Sequence, residues 1–390
     1  MRLNCGFHHP FSMLFYRMQR LQSLDILKLF AMFLVIWGHC VQFLLTSHYL
    51  DEPAYIYIYS FHMPLFFIIS GLFVHHPAGE QSYGAHLSSC ARDYGYRLLV
   101  RARQLLLPCL AWGLLMSAGN LIQPLLNGTH VDKSLLSTLY TNFWFLKSLF
   151  VCFALWYISI TLLRLRWLAL LVSFVVSQFI TVWEVQWSYP AFAIGVLLSP
   201  YLLSIRRYRR PIALTSFIIG GILLLGWNAS YFRIPSVYSW SALDSSALIM
   251  SIAMRFYRFF IGSTLSLGFI ALFLNIDSLD AKRSTLDSQH PALDSQHSVL
   301  NTLSSLGQLT LGIYIIHTMF IIARERLCPT LFCCDSLNPW LFNTIVAPLA
   351  AAMLLLVSVG ITRLIMLAPH LSFFFLGTPW QKLQSASAGR

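Results

Sequence analysis

Long hydrophobic runs alternate with short polar segments along the chain, and ten of these runs have about the length that a membrane-spanning α-helix needs. Because lipid offers the backbone no hydrogen-bond partners, we expect each run to be helical. The alternating ten-residue segments typical of a membrane β-barrel are absent. The pattern predicts an all-α polytopic membrane bundle of about ten transmembrane helices, at residues 24–46, 55–75, 98–122, 143–163, 167–183, 189–204, 211–228, 247–274, 305–323 and 342–367.

Composition and charge agree with a membrane protein. Hydrophobic residues make up 57% of the 390 positions and charged residues only 10%, with a net charge of +12. If the N-terminus is cytoplasmic, 19 of the 26 Lys and Arg residues lie on or near the cytoplasmic side, as the positive-inside rule requires. The basic charge is thus explained by topology and by attraction for anionic headgroups or nucleotide phosphates. A nucleic-acid partner is excluded because no separate basic domain exists.

The polar segments outside these spans define the domain organisation. Residues 1–23 are predicted to be a basic cytoplasmic segment without a cleaved signal peptide, and residues 368–390 a cytoplasmic C-terminal tail. Between them, residues 24–367 form one membrane domain. It contains a flexible loop at 275–304, where the sequence Leu-Asp-Ser-Gln-His occurs twice with a period of seven. We interpret the two histidines of this repeat as solvated.

The first predicted helix carries three ionisable residues, Asp25, Lys28 and His39. Such groups are costly in a membrane, by roughly 2.5–3.5 kcal/mol for Asp or Lys at the centre, and therefore suggest function. Offsets of eleven and fourteen residues return to within ~20–40° of one direction, and His39 lies ~16 Å deeper than Lys28. A coenzyme A thioester has this shape, with phosphates at one end and the reactive carbonyl at the other. The alternatives are headgroup contact for Lys28 and an ion pair or helix cap for Asp25.

Two further histidines are predicted at the depth of His39. His62 and His317 each lie about seven residues from the outer end of their spans. Histidine titrates near neutral pH and can remove a proton from a hydroxyl that attacks a thioester. The alternative for His39 is a hydrogen bond between helices. We favour a general-base role for it.

Five arginines are candidate ligand contacts. Arg255 and Arg258, in the outer half of the eighth span, could hold an anionic acceptor or a developing oxyanion, or could be interfacial anchors. Arg97, Arg101 and Arg103, on the cytoplasmic side, could clamp phosphates or simply follow the positive-inside rule. No His or Cys spacing suits a metal, and no bound cofactor is expected. Whether Cys328, Cys333 and Cys334 form a disulfide is left open.

The motifs resemble those of the membrane-integral acyltransferase 3 family, which includes bacterial O-acetyltransferases acting on surface polysaccharides and lipid-linked sugars. The segment from Leu24 to His39 is similar to the family's Asp-x-x-Arg followed, after eleven residues, by an essential histidine. Further similar segments, in the family's order, are Ser60–Phe73, Arg97–Pro108, Phe143–Leu146, Pro190–Gly195 and Leu306–His317.

The resemblance implies transfer of an acyl group, most often acetyl, from acyl-CoA to a hydroxyl of a carbohydrate or lipid-linked sugar. It implies His39 as the catalytic base, and a location in the bacterial inner membrane with both termini cytoplasmic. Asp25, Lys28 and the three cytoplasmic-side arginines would contact the donor. His62, His317, Arg255 and Arg258 would surround the acceptor. Two departures are Lys28, where arginine is usual, and the lack of an SGNH-type esterase domain after the last helix, from which we expect a stand-alone form.

Two other classes of function remain open on the sequence. A transporter or flippase of a lipid-linked sugar would also place a polar stripe inside the bundle, but neither an inverted repeat nor a matched pair of broken helices is found. A structural membrane scaffold would leave the three histidines unexplained. The sequence does not identify the acceptor or the oligomeric state.

Overall fold

The computed structural model describes residues 22–45, 49–74, 87–127, 142–228, 231, 245–274, 294–327 and 334–378, and these residues form helices joined by short connections. The helices are α1 (Gln22–Leu44), α2 (Pro53–Leu72), α3 (Leu87–Asn127), α4 (Trp144–Leu163), α5 (Arg166–Gln178), α6 (Val185–Leu198), α7 (Leu202–Arg207), α8 (Arg209–Leu224), α9 (Ser245–Phe273), α10 (Asp294–Gly307), α11 (Thr310–Leu327), α12 (Pro339–Leu367) and α13 (Pro369–Leu376). Short 3₁₀ turns occupy Tyr49–Asp51, Val182–Glu184 and Ser199–Tyr201.

The all-α membrane fold is confirmed, whereas the number of spanning helices is smaller than ten by length. Within the described residues, six helices are long and apolar enough to cross a membrane: α1, α2, α3, α4, α9 and α12. A seventh results if α10 and α11, which bend by 64° at their junction, form one span. The other predicted spans coincide with α5, α6 and α8, which have only 13, 14 and 16 residues. At ~1.5 Å per residue they are shorter than the ~30 Å hydrocarbon core.

Helix α1 lies at the centre of the bundle. It packs against α2, α9, α10, α11 and α12, and its apolar side chains, such as Leu27, Ile36 and Val41, are fully buried. Helix α2 packs in turn against α6 and α9. The polar residues of α1 are therefore surrounded by protein on most sides.

Glycines allow the closest helix crossings, as their small size predicts. A Cβ atom at Gly71 of α2 would overlap the carbonyl oxygen of Phe192, and one at Gly195 of α6 would overlap that of Ile68. A Cβ atom at Gly307 would overlap the Asp25 carbonyl in the same way. The C-terminal end of α10 therefore packs in close contact with the N-terminal end of α1.

Helices occupy parts of two segments that were predicted as a loop and a tail. Helix α10 begins at Asp294, inside the predicted flexible loop 275–304, of which 275–293 lie outside the described residues. The predicted C-terminal tail begins with helix α13, which packs against α3. Trp112 Nε1 donates to the Phe375 carbonyl at 3.0 Å. The N-terminal segment before Gln22, and Cys328 and Cys333 of the possible disulfide, lie outside the described residues.

Candidate active site

Three histidines from three helices lie close together in the bundle. The rings of His39 on α1 and His317 on α11 have centroids 5.6 Å apart. Tyr59 of α2 connects them to the third: its ring is 6.4 Å from that of His39 and 4.6 Å from that of His62. His39 is half-buried, while His62 and His317 are buried. We call these four residues the histidine cluster.

Backbone hydrogen bonds orient two of these imidazoles. His62 Nδ1 lies 2.8 Å from the Ile58 carbonyl oxygen, and His317 Nδ1 lies 2.9 Å from that of Ile313. Because a carbonyl only accepts, Nδ1 must carry the hydrogen in both rings, and a neutral ring then keeps its lone pair on Nε2. His317 Nε2 has no hydrogen-bond partner among the described residues. A buried acceptor without a partner is suited to receive a hydrogen bond from a ligand or from a protonated neighbour.

His39 is held differently, by contacts with a neighbouring helix. Its Nδ1 lies 3.5 Å from the Tyr59 hydroxyl, which also donates to Gln42 Oε1 at 3.3 Å. While Tyr59 donates to Gln42, its oxygen is available to accept from His39 Nδ1. This arrangement leaves Nε2 of His39 as the basic nitrogen.

At the other end of α1, Asp25 and Lys28 form an ion pair. Lys28 Nζ lies 3.0 Å from Asp25 Oδ1, and the Asp25 side chain is 2% exposed whereas that of Lys28 is 25% exposed. The Lys28 ammonium also lies 4.6 Å from the centre of the Phe73 ring. The lysine is therefore the accessible member of the pair. Eleven residues of helix separate it from His39, or ~16 Å along the axis.

The three arginines of α3 have different surroundings. Arg97 pairs with Asp93 at 2.8 Å on an exposed helix face. Arg101 donates to Gln104 at 3.2 Å and lies 4.6 Å from the centre of the Phe153 ring on α4. Arg103 has a buried Nε without a hydrogen-bond partner among the described residues. These contacts do not join the three side chains into one phosphate clamp.

A cavity of about 330 Å³ lies beside the histidine cluster. This volume is at the lower end of the range for small-molecule sites. Its wall includes two residues of the histidine cluster, Tyr59 and His62. The remaining polar wall comes from α6, the turn before it and α9, and includes Glu184, Gln186, Arg255 and Arg258. The structure thus brings His62 and both outer arginines together at one cavity.

Both outer arginines lie over one indole ring. The guanidinium carbons of Arg255 and Arg258 are 4.3 and 4.5 Å from the centre of the Trp187 ring. Arg255 also donates to Gln186 Oε1 at 3.3 Å. Cation–π contacts of this kind hold arginine side chains in place without neutralising their charge.

The family of the chain follows from a comparison with known proteins. The model of the acyltransferase domain named acyltransferase 3 matches residues 21–367, nearly the whole chain and all four members of the histidine cluster. The chain belongs to the acyltransferase 3 family.

One curated relative of this chain was found. It is the Nodulation protein NolL of Mesorhizobium japonicum, which is 30% identical over 220 residues. The match covers 53% of this chain and 56% of the relative. No solved structure matches the chain.

Several residues in or near this candidate site were missed by sequence reasoning. Tyr59 and Trp187 carried no signal, because aromatic residues are common throughout the chain. Lys147 is a cation inside a predicted span, which is itself an indication of function. It is 7% exposed, donates to the Asn142 carbonyl and lies 5.5 Å from the centre of the Trp183 ring.

The turn before α6 positions the Glu184 carboxylate at the cavity. Trp183 and Glu184 have φ values of 51° and 57°, two consecutive left-handed residues that are not glycine. Such conformations cost of order 1–3 kcal/mol each and occur preferentially at functional sites. Burial raises the pKa of the Glu184 carboxyl, and Arg258 and Arg255 oppose this shift.

Among the residues that the structure describes, no group of three or more His, Cys, Asp or Glu side chains is arranged to hold a metal ion.

Proposed function

We propose that this acyltransferase moves an acyl group, specifically acetyl, from acyl-CoA to a hydroxyl of a carbohydrate or lipid-linked sugar. The observation that carries the proposal is the pairing of His39 with His317 beside Tyr59, deep in the bundle and next to a cavity. Acyl transfer to a hydroxyl requires a base at the reacting oxygen, and His39 is the histidine whose Nδ1 contacts a side chain of another helix.

His39 acts as the general base in this proposal. Its Nε2 takes the proton of the acceptor hydroxyl while the oxygen attacks the thioester carbonyl. The tetrahedral intermediate then collapses, the carbon–sulfur bond breaks, and the proton passes from His39 to the leaving thiolate of coenzyme A. The Nδ1 atoms of His317 and His62 already donate to carbonyls of their own helices. We therefore assign their Nε2 atoms to contacts with the acceptor near the reacting oxygen.

The donor approaches from the end of α1 that carries Asp25 and Lys28. Lys28 is the accessible charge there, and we assign it to the phosphates of coenzyme A. Arg97, Arg101 and Arg103 add positive charge on that side, and the buried Nε of Arg103 remains available for a ligand. The ~16 Å between Lys28 and His39 matches the extended pantetheine arm.

The topology in this proposal follows from the distribution of basic residues. Both termini lie in the cytoplasm and the chain spans the bacterial inner membrane, so acyl-CoA is supplied from the cytoplasm. The acceptor occupies the cavity in the other half of the bundle, where Arg255 and Arg258 lie. No other cofactor is needed for the reaction.

Release of free coenzyme A by the purified protein tests this proposal. With acetyl-CoA and a carbohydrate acceptor, we expect turnover in the wild type and in His370→Ala, which alters an exposed histidine outside the cluster. We expect nearly complete loss in His39→Ala. A transporter or flippase would release no coenzyme A in any of the three proteins, and equal release by His39→Ala would rule out its role as the base.

A further inference from the structure

The charges that line the cavity are unequal. Arg255 and Arg258 contribute two positive charges and Glu184 one negative charge. Neither Arg258 nor Glu184 has an ion-pair partner within 4 Å among the described residues. The cavity wall therefore has an excess of positive charge.

Uncharged groups lie against both guanidinium groups. Arg255 contacts the neutral amide of Gln186, and both arginines lie over the Trp187 ring. Two like charges at one ring repel each other, and the repulsion is strong where water is scarce. An oxyanion near both would relieve this repulsion, and arginine is the side chain best suited to bind carboxylate or phosphate.

Much of the remaining wall is apolar and reaches the lipid-facing surface. Phe174 of α5 and Phe256 of α9 line the cavity, and they are 40% and 58% exposed on the outside of the bundle. The cavity thus offers a basic region for a charged group beside an apolar wall that borders the membrane. A neutral sugar would not balance the net positive charge of the cavity wall.

We propose that the acceptor is anionic, and that Arg255 and Arg258 bind its carboxylate or phosphate group beside Trp187. This inference rests on the proposed function in taking the cavity as the acceptor site. A uronic acid would supply a carboxylate, and a lipid-linked sugar would supply a phosphate. Glu184 opposes the binding of either and limits its strength.

Equilibrium binding to the purified full-length protein, without acyl-CoA, tests the inference with two pairs of probes. Methyl glucuronoside is compared with methyl glucoside, and farnesyl phosphate with farnesol, so that each pair differs in the anionic group. We expect the anionic member of at least one pair to bind about tenfold tighter or more. A preference in the first pair identifies a carboxylate, and one in the second pair a phosphate.

Variants assign the preference to the cavity. Arg255→Gln and Arg258→Gln should each weaken binding of the anionic probe about tenfold, while Arg258→Lys retains part of it. Glu184→Gln should strengthen it, an increase that misfolding cannot produce. Arg210→Gln, which alters an exposed arginine outside the cavity, should change nothing.

Equal binding of neutral and anionic probes, or a preference that survives Arg255→Gln with Arg258→Gln, would overturn the anionic site. Release of coenzyme A is measured separately. Wild-type protein that binds anions but releases no coenzyme A would sink the proposed acyl transfer. Protein that releases coenzyme A without any anion preference would sink the present inference alone.

Discussion

The orientation of His39 depends on a contact with a residue of another helix, Tyr59 of α2. His62 and His317 each donate to a carbonyl four residues earlier in the same helix, which any helical histidine can do. His39 instead contacts the Tyr59 hydroxyl on α2, and that hydroxyl donates to Gln42 one turn further along α1. The His39 imidazole is therefore positioned by the packing of α1 against α2.

Replacing Tyr59 tests this positioning. Tyr59→Phe keeps the ring but removes the hydroxyl, and we expect kcat for coenzyme A release to fall about three- to tenfold, with little change in KM for acetyl-CoA. The control is Tyr57→Phe, on the same helix, where the side chain is 51% exposed and should be neutral. Equal activity of Tyr59→Phe and wild type would show that the hydroxyl does not orient the base.

Variants of the Asp25–Lys28 ion pair distinguish a structural role of Lys28 from a role in donor binding. Lys28→Met leaves the buried Asp25 carboxylate without its ion-pair partner, and we expect a loss of roughly 1–3 kcal/mol in stability and a higher KM for acetyl-CoA. Adding Asp25→Asn should restore the thermal midpoint but leave the KM high. Lys28→Arg should retain both the wild-type stability and the wild-type KM for acetyl-CoA. An unchanged KM for acetyl-CoA in Lys28→Met would show that the lysine does not bind the donor.

At the scale of helices, the sequence predicted the long elements better than the short ones. Hydrophobic length alone identifies α1, α2, α4 and α12, because only helices satisfy the backbone in lipid. The same criterion cannot decide whether α5, α6 or α8 crosses the membrane, since each has fewer residues than a full span requires. Helix α13 was missed because its apolar stretch is too short to stand out as a span.

The candidate site could be predicted from the sequence only in part. The depth of each histidine follows from counting residues along its helix, so the grouping of His39, His62 and His317 could be predicted. Which helices meet beside them could not, because Glu184 and Arg258 are far apart in sequence and are joined only by packing. The left-handed turn at Trp183 and Glu184 has no glycine to indicate it.

The crossing of α2 and α6 provides a test at this scale. Gly71→Ala places a methyl group against the backbone of α6, and we expect a loss of about 1–3 kcal/mol in stability together with reduced activity. Gly221→Ala is the matched control, since no atom lies within 4 Å of the added Cβ and alanine favours the helix. Thermal unfolding in detergent measures both, and equal midpoints would contradict the close crossing.

The whole molecule is organised around α1. This central helix carries the accessible lysine near one end and the proposed base toward the other, and five other helices surround it. Donor phosphates and acceptor would thus occupy opposite ends of the bundle, with the thioester carbonyl and the acceptor hydroxyl meeting at His39. This separation explains how acyl-CoA from one side could modify a carbohydrate presented from the other.

Transfer of radiolabelled acetyl groups in reconstituted vesicles tests the central claim most directly. Acetyl-CoA is supplied only on the side of Asp25 and Lys28, and label in bacterial surface carbohydrate is measured. We predict transfer by the wild type and by His370→Ala, and a rate about 100- to 10,000-fold lower in His39→Ala. Label transfer by His39→Ala at the wild-type rate would contradict the assignment of His39 as the base.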